Sequence, residues 1–130
     1  MRTIKFRGKK LCQDEWIYGS LITRGEQGAD GNFIDTGRGE CYPLQQDTIG
    51  QFTGLSDKNG KDIYEGDIVR MNTITGGVYQ IAFEESHIGA FSLCSKNGFV
   101  GIFGRDADFE PFYCEVIGNI HDNPELLEGK

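Results

Sequence analysis

Glu65 and Asp67 stand on either side of Gly66 in the run Ile63-Tyr64-Glu65-Gly66-Asp67-Ile68-Val69-Arg70-Met71. Carboxylates at alternate positions of an extended chain project to one side, and general acid–base pairs are built from such neighbours. A working pair also needs one member buried, so that its pKa rises, and a substrate-binding stretch beside it. This neighbourhood supplies no histidine, no third acid at useful spacing and no such stretch. The spacing therefore predicts a polar turn that launches a strand at Ile68, with Asp67 accepting from nearby backbone N–H groups. No catalytic residue is expected in the chain, which is read as a non-enzyme.

The other chemistries fail on register. Asp57, Asn59 and Lys61 alternate near a glycine, as oxygen ligands of calcium do, but counting from Asp57 the fifth, sixth and twelfth places hold Lys61, Asp62 and Ile68. A calcium loop wants an oxygen ligand, a glycine and a glutamate there. Asn59-Gly60 is read instead as the centre of a tight hairpin turn, since both residues tolerate positive φ. Cys12, Cys41, Cys94 and Cys114 have no C-x-x-C pairing, and His87 and His121 are the only imidazoles, so no zinc or other metal site and no cofactor is expected. There is no G-x-S-x-G, and the glycine-rich stretches lack the lysine and helix of a phosphate loop.

What remains is a binding candidate. The first ten residues hold five of the thirteen basic residues and no acid, within a net charge of −7. Lys5, Arg7, Lys9 and Lys10 could meet phosphates while Trp16 or Tyr18 offers a stacking face, which makes these six residues the candidate partner contacts. The structural alternative is that Trp16 and Tyr18 are core and that the lysines guard a sheet edge. Residues 104 to 130 carry seven acids against Arg105 and Lys130, so charge is divided between a basic start and an acidic end.

The elements that must position these groups are short. Nineteen glycines cut the chain into runs of four to eight residues rich in Ile, Val, Phe, Tyr and Thr, the punctuation of strands. Alternation around Ile4 and Phe6 predicts one strand with its basic side outward, and EWIYGSLI a second, joined as a hairpin across GKKLCQDE. Further strands are expected in TIGQFTGL, DIVRMN, GVYQIAFE, AFSLCS, GFVGIFG and CEVIGNI. Residues 24–46, glycine-rich with mixed charge, read as a long flexible loop with room for one short strand. Asn123 and Pro124 are placed to start a short helix over ELLE.

The expected fold is all-β: a single domain over residues 1–130, a small SH3-like or partly open β-barrel with an N-terminal hairpin and a short C-terminal helix. Its expected core is Phe6, Trp16, Leu21, Phe52, Leu55, Ile68, Val69, Ile81, Phe83, Val116 and Ile117. No apolar run approaches the length of a membrane span. MRTIKFRGKKL carries charges every second or third position where an export signal needs an apolar run, so a cytoplasmic location with reduced thiols is expected.

Several blocks carry a resemblance: IKFRGKKL with EWIYGSLI, QFTGLSDKNGKDIYEGDIVRM, GVYQIAFE, and EVIGNIHDNPELLEGK. Through these the chain resembles the YopX family of small phage and prophage proteins. The resemblance implies a mainly β protein in the cytoplasm of a bacterial host and brings no established activity. The expected function is that of a non-enzymatic accessory protein, a module that binds a host or phage protein. The alternative is a nucleic-acid-binding accessory that uses the basic N-terminal hairpin. Short edge strands also allow pairing between copies.

Overall fold

The computed structural model describes residues 5–24, 31–72, 76–84, 90–95, 98–102 and 114–128. The chain divides into two compact units, Met1–Phe52 and Thr53–Lys130. The all-β class holds: eleven strands and one short helix are found among the described residues. The strands form two antiparallel sheets whose ladders do not close into a barrel.

In the first unit β1 (Phe6–Lys9) and β2 (Trp16–Arg24) form the expected hairpin, paired from Phe6↔Gly19 to Lys9↔Trp16. Residues 24–46 carry two strands, β3 (Gly31–Asp35) and β4 (Cys41–Pro43), so this stretch is more regular than its composition suggests. Gly37, Arg38, Gly39 and Glu40 form the connection between β3 and β4, while Phe33, Ile34 and Tyr42 occupy paired positions. Ile34 and Leu44 are buried with Ile17, and Phe6, Leu21, Tyr42 and Ile49 pack around them. Beyond β4 the chain returns to β1: Lys10 and Leu44 form a bridge, Leu11 N–H donates to Pro43 O and Gln45 N–H to Lys9 O.

Such close layering needs Gly19. A Cβ there would collide with the Asp35 carbonyl oxygen, so only glycine lets β3 lie that close to β2. The first residues of β5 (Gly50–Ser56) pair with the other edge of β1, at Phe6↔Gln51 and Arg7↔Gly50. β1 is thus an interior strand, and its one lysine, Lys9, guards no edge.

The second unit begins within β5, which turns back as β6 (Asp62–Tyr64) through the expected turn at Asn59-Gly60. β7 (Asp67–Met71), β8 (Val78–Glu84), β9 (Ala90–Ser95) and β10 (Gly98–Ile102) follow as a meander, and β11 (Cys114–Asn119) returns beside β7. β7 is an interior strand, between β8 and β11. Its burial is nearly continuous, with Arg70 alone exposed, as a strand covered on both faces requires. Ile63, Val69, Met71, Ile81, Leu93 and Cys114 form the core, with Leu55, Tyr79, Phe91 and Val116 against it.

Of the expected core, Ile68, Val69 and Ile81 are fully buried, while Phe6, Trp16, Leu21, Phe52, Leu55, Val116 and Ile117 are half-buried. The side chain of Phe83 lies outside the described residues. The expected terminal helix is α1 (Glu125–Glu128), but the Asn123 side chain points backward and accepts from Asn119 N–H at 3.3 Å.

Candidate binding site

The hairpin register decides what the basic residues do. Arg7 stands opposite Tyr18 and Lys9 opposite Trp16, so these side chains share one face, while Gly8 and Ile17 share the other. Arg7 is only 6% exposed, with its guanidinium 4.6 Å from the centre of the Trp16 ring; Lys9 is 8% exposed and lies 5.5 Å from the same ring. Lys5 lies over Phe52 at 4.7 Å and Lys10 over Tyr42 at 4.2 Å. Lys9 is also ion-paired with Asp14, and Lys10 with Glu15 at 3.2 Å. Each of the four predicted cations therefore sits on a ring, two of them also beside a carboxylate. Attraction between an ammonium or guanidinium and the π face explains how Arg7 and Lys9 are tolerated where water is scarce.

Tyr18 behaves differently, being 49% exposed. With Trp16 it lines an open groove of about 360 Å³, to which β4 contributes Tyr42 and the β1–β2 turn contributes Lys10 and Glu15. The turn between β3 and β4 supplies Thr36, Arg38 and Glu40. Thr36 N–H donates to Glu40 O, and Asp35 Oδ1 accepts from Gly37 N–H at 2.9 Å, so this wall is tied down at both ends. Thr36 Oγ1 is buried and has no hydrogen-bond partner among the described residues. The structure thus brings Lys10, Trp16 and Tyr18 to one groove. Lys5, Arg7 and Lys9 do not line it.

Thr36, Arg38, Glu40 and Tyr42 escaped the sequence reading because they fall in the stretch taken as a loop. The cue was Tyr42-Pro43-Leu44, an apolar triplet in a polar surrounding.

The two buried aspartates described in the second unit, Asp67 and Asp57, accept from backbone N–H groups. Asp67 is 2% exposed and its Oδ2 accepts from Tyr64 N–H at 2.7 Å, while Gly66 turns the chain at φ +96°. Gly66 N–H donates to Ile81 O and its own carbonyl accepts from Ile120 N–H. Glu65-Gly66-Asp67 is therefore the turn that opens β7. Asp57, also buried at 6% exposure, accepts from Asn59 and Lys61 N–H through Oδ1 and from Val116 N–H through Oδ2, each at 2.9 Å. Burial alone would raise its pKa, but these three donors and the Lys61 charge hold it below the ordinary aspartate range. Burial pushes the Cys114 thiol up to about 12, helped by the negative charges of Asp57 and Asp67. His121 N–H donates to Asn119 Oδ1, and His87 lies outside the described residues. Among the described residues no three His, Cys, Asp or Glu side chains gather as metal ligands do, and no helix is long and apolar enough to cross a membrane.

An all-β chain of two compact units, one of them bearing an aromatic groove, is the class that fold and site define. Within that class the chain belongs to the YopX family, whose model, described as YopX protein, matches residues 5–128. Among solved structures it is similar to protein EF1440 from Enterococcus faecalis, at 26% identity and a TM-score of 0.55, over 98% of this chain and 99% of that one. A comparison with curated proteins finds no match.

Proposed function

We propose that this protein is a non-enzymatic interaction module of a phage or prophage, acting in the bacterial cytoplasm and binding a host or phage protein through the groove of its first unit. One observation carries the reading: Tyr18 holds a large aromatic ring half in solvent beside Trp16 and Tyr42, in a concave site. Rings so placed are what protein interfaces use as anchors. The non-enzymatic part rests on Asp57 and Asp67, the buried carboxylates, whose oxygens accept from backbone N–H groups within the turns.

The nucleic-acid alternative draws little support from the geometry. A phosphate-binding strand needs cations facing solvent, whereas Arg7 and Lys9 are buried against Trp16 and Lys10 is neutralised by Glu15.

The test is capture with the tagged full chain from nuclease-treated bacterial extract, run in parallel with Tyr18→Ala. A protein retained by the native chain and lost with Tyr18→Ala is the expected result. Identical retention by both sinks the assignment to the groove, and nucleic acid whose retention falls steeply with salt restores the alternative.

A further inference from the structure

Asn59 and Gly60 carry a chemistry that is independent of the groove. The deprotonated backbone nitrogen of the residue after an asparagine can attack the side-chain carbonyl carbon, Cγ, and the new C–N bond closes a succinimide ring. The proton taken from that nitrogen is returned to the side-chain NH₂, which leaves as ammonia, and water then opens the ring to aspartate or isoaspartate. No oxidant or cofactor enters. Glycine in second place favours the step, because it has no Cβ to block the approach. Here the pair stands exposed on the turn between β5 and β6, with Gly60 at φ +84°.

The hydrogen bonds of the turn decide how fast this reaction runs. In the succinimide, Asn59 Cγ takes the direction that the hydrogen of Gly60 N held. In the folded protein that direction is occupied, since Gly60 N–H donates to Asp57 O at 2.9 Å. Rotation of Asn59 to clear it is opposed as well: Asn59 N–H and Lys61 N–H both donate to Asp57 Oδ1 at 2.9 Å. One residue thus holds three successive N–H groups. Asp57 is itself anchored, because its N–H donates to Lys61 O at 2.8 Å and its Oδ2 accepts from Val116 N–H. Lys58 N–H adds a second tie to β11, at Cys114 O.

We infer that Asn59 is a site of spontaneous deamidation gated by the Asp57 turn. Ring closure waits for the turn to open, so the native rate is set by that opening. The change is irreversible. Isoaspartate lengthens the main chain by one methylene within the turn, which takes the pairing of Asp57 with Lys61 out of register and loosens the hold on β11.

The full chain is incubated in mildly alkaline buffer, native and across a urea series, then cleaved at glutamates and mapped by mass, with isoaspartate scored by enzymatic methylation. Asn59 falls in the fragment between Glu40 and Glu65, apart from the chain's other Asn-Gly pair, Asn97-Gly98, so the two are read separately. Asn59 should deamidate about tenfold or more slowly in native protein than in fully unfolding urea. Asp57→Ala should accelerate the loss in buffer alone, reaching the unfolded rate if that variant does not fold. Asp57→Asn, which keeps part of the turn, should fall between. A native rate equal to the unfolded one, an Asp57→Ala rate equal to native, or no modification at Asn59 even in urea overturns the inference.

Discussion

Replacing Asp57 tests how the second unit is held together. Its carboxylate ties the Asn59-Gly60 turn to β11, 59 residues further along, through Val116 N–H. The Val116 bond joins a charged acceptor to a half-buried donor and contributes about 2 kcal/mol; the bonds to Asn59 and Lys61, whose residues are exposed, contribute about 1 kcal/mol each because water can replace them. Asp57→Ala should therefore cost about 4 kcal/mol. Asp57→Asn should cost about half of that, since its carbonyl oxygen can still serve the turn while its amide N–H₂ would oppose Val116 N–H.

Trp16 belongs to the first unit, so the appropriate assay is amide hydrogen exchange of β7 and β8 across a urea series. At a slope of about 2 kcal/mol/M, the alanine variant should lose its protection about 2 M earlier. The pH dependence follows from the depressed carboxyl: the stabilisation is fully present above the unfolded aspartate value of about 3.9 and is lost as pH falls through the lower folded value. The gap between native and Asp57→Asn protein should stay constant from about pH 7 to 5 and shrink below about 4. An alanine variant within about 0.5 kcal/mol of native, or a gap that widens in acid, would refute the clamp.

Two further outcomes can be checked on the same material. Native protein treated with iodoacetamide near pH 8 should be modified at Cys12 and Cys41, which are exposed, and spared at Cys114, whose buried thiol is pushed up to about 12. Mass mapping before and after denaturation reads this, and rapid native labelling of Cys114 would contradict its placement. For the same reason the second unit should lose stability as pH climbs from about 9 towards 12, because the unfolded thiol ionises first. Gly19→Ala should destabilise the first unit by about 2–3 kcal/mol, since its Cβ would stand inside van der Waals contact of the Asp35 carbonyl. Trp16 fluorescence during urea unfolding measures that loss, and an unchanged midpoint would mean that β2 and β3 are less closely apposed.

Strand periodicity was legible because it is a local property of the backbone: side chains alternate with period two wherever the chain is extended. Tyr79, Ile81, Phe91 and Leu93 announced β8 and β9, and Asn59-Gly60 and Glu65-Gly66-Asp67 announced their turns, for the same local reason. β6 escaped because three residues cannot display a period, although Ile63 and Tyr64 are among the most buried side chains. The basic hairpin was visible as charge and misread as exposed surface. Only the sheet order puts β1 between β2 and β5, and only the register sets Arg7 and Lys9 over Trp16. The groove is more distant still from sequence, since Lys10, Trp16, Tyr18, Thr36 and Tyr42 come from separate segments and Gly19 is what lets two of those segments meet. Sequence by itself determined that the chain forms short antiparallel strands punctuated by specific turns, because φ, ψ and alternation are decided by neighbouring residues. Tertiary structure decided which charges are buried, which ring is left in solvent and where a site exists, because burial depends on contacts between residues far apart along the chain.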